Sequence, residues 1–170
     1  MLVQIQKFID QFHTRLSQII SWFTLIMVLL TLLIVILRYG FNMGWIAMQE
    51  SVMYLHAAVF MLGAAYTLQV DQHVRVDVFY RKFSERGKAL TNLLGSLLLL
   101  MPVNIFILLI SWEYVGNSWG LLEGSQEAGG LPLVFILKTF ILLFAGSLSL
   151  QGIAEIIKST LVLAAAGERK

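Results

Sequence analysis

Cysteine is absent from this sequence, which excludes disulfides and thiolate chemistry at a metal or redox centre, and leaves the compartment unread. Histidine is nearly absent, with three residues, and only 13% of the chain is charged, well below the roughly 25% of an ordinary soluble domain. The net charge of +2 is too small for the basic footprint of a nucleic-acid binder. There is no glycine-rich phosphate loop, no relay of intramembrane carboxylates, no pair of interrupted helices and no visible inverted repeat. The chain therefore lacks the parts of a self-sufficient secondary transporter or a membrane enzyme.

What is present is apolar. Hydrophobic residues make up 58% of the chain and the mean hydropathy is +0.81, a composition for lipid. Four apolar blocks, at approximately 16–38, 47–69, 89–112 and 131–157, are each long enough to cross a hydrocarbon core of about 30 Å at about 1.5 Å per helical residue. A spanning segment must satisfy its backbone internally, and the alternation of barrel strands is missing, so all four read as helices. The first block is too long for a secretory signal core and is followed by Ile36–Leu37–Arg38–Tyr39 in place of a small-residue cleavage site; it is expected to be retained. Before it, Leu2, Ile5, Phe8, Ile9, Phe12 and Leu16 recur at helical spacing. This predicts an N-terminal amphipathic helix, lying in the headgroup plane or continuing helix 1. The fold expected is an all-α membrane protein of four transmembrane helices plus this interfacial helix.

Lysine and arginine set the orientation. Lys7 and Arg15 precede helix 1, Arg75, Arg81, Lys82, Arg86 and Lys88 follow helix 2, and Lys158, Arg169 and Lys170 close the chain. The stretch from Glu113 to Pro132 has neither residue. The positive-inside rule makes both termini and loop 70–88 cytoplasmic and loop 113–130 periplasmic. Trp45, Trp112 and Trp119 fall near the outer boundary, where amphipathic rings anchor a protein at the headgroups.

Polar groups within spans are costly. Arg38 ends helix 1 and Glu50 lies about one turn into helix 2; the two could pair, or one could reach a partner subunit. Lys138 lies about two turns into helix 4 and must snorkel outward or find a carboxylate such as Glu50 or Glu113. Its role is open. His56 has no second histidine at its depth to complete a haem site and is expected to be packed and hydrogen-bonded. Pro102 should kink helix 3, with Asn104 nearby as an interhelical donor. Stripes of small residues, Ala57 with Ala64, Ala58 with Ala65, and Ala145 with Ser149 and Gly152, permit close helix approach. Between helices 2 and 3, HVRVDVFY (73–80) reads as a clasp at the cytoplasmic rim, closing on this chain's own helices or on a partner's.

From Arg38 onward the order of motifs resembles the small membrane subunit (DctQ-like) of tripartite ATP-independent periplasmic (TRAP) transporters. Arg38–Tyr39 ends helix 1, Trp45 and Glu50 open helix 2, Gly63–Ala64–Ala65 follows, and His73, Val76 and Asp77 form a His-x-x-Val-Asp motif. Leu131, Pro132, Leu150 and Gln151 sit where the family's closing segment has them. The resemblance implies a bacterial inner-membrane scaffold subunit without cofactor or enzymatic activity. Its partners would be a large transport subunit, a periplasmic substrate-binding protein and membrane lipids, serving sodium-driven uptake of an organic acid anion. Arg38, Glu50, His73, Arg75 and Asp77 are then the candidate interface or structural residues. The competing expectations are a respiratory-complex anchor holding haem or quinone near His56, and a small stand-alone channel.

Overall fold

The computed structural model describes residues 1–74 and 80–167. Arg75, Asp77 and the rest of 75–79 lie outside the described residues, so of the expected clasp only His73, Val74 and Tyr80 fall within them. Four helices carry the chain: α1 (Leu2–Phe41), α2 (Ile46–Gln69), α3 (Glu85–Gly120) and α4 (Val134–Gly167). All four are long and apolar enough to cross a membrane, and the described residues contain no strand. The protein is an all-α, multi-pass membrane protein.

At 40 residues, α1 is about 60 Å long, twice a hydrocarbon core. The amphipathic segment is thus not set off as a helix of its own; it forms the first turns of α1. The local reason is plain, since no glycine or proline occurs between Leu2 and Tyr39 to break the hydrogen-bond ladder. Its apolar residues divide between two faces: Ile9 is buried, while Phe8 and Phe12 are exposed.

The helices end on left-handed residues. Asn42 (φ 52°), Asp71 (φ 57°) and Leu122 (φ 46°) close α1, α2 and α3. At Asp71 the N–H groups of Gln72 and Asp71 return to Thr67 and Leu68 carbonyls at 3.0 and 3.1 Å. At Leu122 those of Glu123 and Leu122 return to Ser118 and Trp119 at 3.0 and 3.2 Å. Both are Schellman closures; Asp tolerates the left-handed region by local side-chain bonding, whereas Leu has no such compensation.

Pro102 acts through the turn before it. Residues Ser96–Leu100 form a π-helical turn, and the Met101 N–H reaches back to the Ser96 carbonyl. A proline ring clashes with the carbonyl four residues earlier, here that of Leu98, and widening the preceding turn accommodates it.

α4 is the centre of the fold. It packs against α1, α2 and α3, α1 and α2 also pack on each other, and α3 has α4 as its main partner. The seams are built from small residues. Ala58 and Ala65 are buried on α2, seven residues apart, and Ala145, Leu148 and Ala154 on α4. Gly152 lets α3 come close, since a Cβ there would lie 2.9 Å from Leu100 Cδ2. On α3 the buried positions include Ser96, Asn104, Ser111 and Ser118, a polar seam at spacings of eight, seven and seven that faces its neighbour rather than lipid.

Candidate functional site

Side-chain hydrogen bonds gather at the two ends of the helix bundle. The terminal end is where α1 begins and α4 finishes; the distal end is where α1 turns into α2 and α3 into α4.

At the distal end, Glu50 on α2 fixes the 121–133 connection. Its Oε1 accepts the Ser125 hydroxyl at 2.5 Å and its Oε2 accepts the Leu131 backbone N–H at 2.5 Å. Ser125 and Leu131 are themselves joined by a backbone hydrogen bond of 2.9 Å, so one carboxylate holds both strands of the loop. Gly130 is needed beside it: a Cβ there would come within 2.4 Å of Ser125 Oγ and 2.9 Å of Glu50 Oε1.

A second carboxylate closes the same loop. Glu123 Oε2 accepts from the Ser118 hydroxyl at 2.6 Å and from Lys138 Nζ at 2.5 Å, and the Lys138 ammonium also lies 4.1 Å from the centre of the Tyr114 ring. The Lys138 ammonium, followed by the Ser118 hydroxyl, holds the Glu123 carboxyl below the usual carboxylate range. Trp119 completes the contact, donating from Nε1 to Thr139 Oγ1 at 2.8 Å and setting its ring edge against Phe135 at 4.6 Å.

The terminal end has a buried polar chain. Gln151 and His13 are 0% and 1% exposed. Gln151 Nε2 donates to Asp10 Oδ1 at 3.0 Å, which leaves its Oε1 facing His13 Nδ1 at 2.8 Å. An amide oxygen only accepts, so His13 carries its proton on Nδ1. Gln69 Nε2 donates to Thr14 Oγ1 at 3.1 Å, tying α2 to α1 one turn away. His73 folds back on α2, donating from Nε2 to the Ala64 carbonyl at 3.1 Å.

Several expectations change. Arg38 and Glu50 do not pair: Arg38 is exposed on the last turn of α1, while Glu50 turns to the loop. Lys138 finds Glu123, neither Glu50 nor Glu113, because the Schellman closure at Leu122 folds Glu123 back over the end of α3. His56 is exposed rather than packed, has no hydrogen-bond partner among the described residues, and stacks on Phe60 at 6.3 Å between ring centres. Asn104 is buried at 2% exposure, yet its amide nitrogen has no acceptor among the described residues. Trp45, Trp112 and Trp119 are all exposed, and Trp119 is in addition bonded to α4.

The Asp10–Gln151–His13 chain, Ser125 and Glu123 escape a linear reading. The available signal was a lone glutamine, Gln151, beside Gly152 and Ala154 in an apolar helix. Chemically these clusters are positional. They pair carboxylates and amides with donors, and no group of three or more His, Asp or Glu gathers as a metal site among the described residues.

Over 82 residues, 48% of its length, the chain is 34% identical to a Haemophilus influenzae protein whose name carries the words TRAP transporter small permease protein. The match covers 51% of that relative, so the chain spans about half the length of the curated relative it matches. No solved structure matches it. Residues 27–162 match the family of tripartite ATP-independent periplasmic transporters, DctQ component. The chain belongs to that family.

Proposed function

We propose that the chain is the small scaffold subunit of a TRAP transporter in the bacterial inner membrane, bracing a large transport subunit. That subunit moves an organic acid anion with sodium after delivery by a periplasmic binding protein. In this reading the terminal end and loop 70–88 are cytoplasmic, the distal loop is periplasmic, and lipid headgroups meet Trp45, Trp112 and the first turns of α1.

The observation that carries the reading is the bracing of one central helix at both ends. α4 is bonded to α1 through Gln151 and to the distal loop through Lys138, and Glu50 bonds that loop to α2. A transport domain that slides through the bilayer needs a neighbour that keeps its shape. Arg38, exposed at the distal end, together with Arg75 and Asp77, is assigned to contacts with that neighbour. Membership of a transporter family favours this reading over the haem or quinone anchor, as does the lack of a second histidine at the depth of His56 to complete a haem site.

Uptake of labelled organic anion in cells carrying the large subunit and binding protein, with and without this chain, tests the proposal. The chain is expected to be required, and uptake to need a sodium gradient. Full uptake in its absence would overturn the scaffold role.

A further inference from the structure

The surface exposed at membrane depth has two unlike sides. On α3, every exposed residue from Leu94 to Trp112 is apolar, including Leu98, Phe106 and Ile110, while Ser96, Asn104 and Ser111 are buried against the bundle. That helix hides its polar side chains and shows lipid a hydrocarbon surface. The α1–α2 side mixes the two: Gln18, Ser21 and Thr24 on α1 and His56 on α2 are exposed among exposed apolar residues such as Trp22, Leu25 and Phe60. Ser21 donates its hydroxyl proton to the Gln18 carbonyl at 2.7 Å, but His56 has no hydrogen-bond partner among the described residues and stacks on the Phe60 ring.

His56 is the eleventh residue of α2, about 15 Å from its start, so it stands near mid-span. An ionisable side chain at that depth is disfavoured against lipid and is normally directed at protein or water. Below it α1, α2 and α4 enclose a groove of about 820 Å3, lined by Gln18, Ser21 and Thr24 on α1, Phe60, Gly63 and Thr67 on α2, and Phe144 and Leu148 on α4. A concave, largely apolar surface that also carries hydroxyl, amide and small residues suits a closely packed neighbouring helix.

We infer that the α1–α2 groove, headed by His56 and Phe60, seats one transmembrane helix of the large transport subunit, and that the α3 face meets lipid. The inference rests on the proposed function above and adds to it which side of the subunit docks. The seated helix presents a hydrogen-bonding group at the depth of His56 and small residues opposite Phe60, because the imidazole needs a partner and the aromatic ring needs room.

Phe60 and Phe106, exposed on the two sides, offer a matched test. A photo-crosslinking phenylalanine analogue is placed at either position in the full chain, co-expressed with a tagged large subunit in bacterial membranes. The expected result is a crosslink to the large subunit from position 60 and none from position 106. His56→Leu should reduce the large subunit recovered with the chain about three- to tenfold, the range for one interhelical hydrogen bond, while His56→Gln should retain it. A crosslink from position 106 alone, or from position 60 only to lipid or to a second copy, would overturn the docking face and leave the subunit reading intact. Failure of the unmodified chain to co-purify with the large subunit would overturn both.

Discussion

Glu50 shows how much one side chain at a helix start can decide. Its two oxygens hold a loop whose Ser125 lies 75 positions away in sequence, and Gly130 keeps the space free. Gly130→Ala should therefore push Ser125 off the carboxylate and lower stability by about 1–3 kcal/mol, the usual cost of an overpacked site. Thermal unfolding in detergent, with protease cleavage within 121–133 as a local readout, checks this; an unchanged loop would show that the space is not needed. Glu123 adds a pH dependence. Its folded pKa is lowered by Lys138 and Ser118, so its contribution is present above the ordinary glutamate value of about 4.3 and is lost as pH falls through the lowered value. Hydrogen exchange of the loop should rise across that acid range, and Glu123→Gln should flatten the change.

Among the elements, α3 and α4 depend on a missing side chain. At Gly152 a Cβ would meet Leu100 Cδ2 at 2.9 Å and Met101 Sδ at 3.1 Å, both near the ends of flexible side chains. Gly152→Ala should cost little, under about 1.5 kcal/mol, whereas Gly152→Leu should part the helices and cost about 3 kcal/mol or more. Comparing the two by unfolding in the same detergent separates a close approach from a general preference for glycine. The nearby π-helical turn illustrates how far element structure was legible. Pro102 announces a disturbance in helix 3, but its form, a widened turn at Ser96–Leu100 rather than a bare gap at Leu98, follows from how the ladder re-forms around the ring. The amphipathic start of α1 was legible as a helix and not as a separate one, because periodicity reports which residues are apolar, not where a continuous ladder bends.

The whole molecule is organised around α4. A third of the most apolar stretch of α4 is buried inside the bundle, against 6% for α1 and 11% for α2 and α3. Amides of α4 should accordingly exchange slowest when the protein is held in lipid nanodiscs, followed by those of α1 and α2, with α3, packed mainly on one neighbour, opening earlier. Slower exchange in α3 than in α4 would contradict the arrangement.

The four apolar runs, the charge asymmetry between loops and the order of family motifs are linear properties, and the sequence by itself determined that this is a four-helix membrane protein of the DctQ family. Which polar residues meet was decided only by the tertiary structure. His13 and Gln151 are 138 positions apart, and whether they touch depends on the rotation of two helices about their axes. That rotation is set by small residues such as Ala58, Ala65 and Gly152. The same rotation leaves His56 on the outside. Hydropathy measures how apolar a segment is, while the side a residue faces is fixed by what its helix packs against.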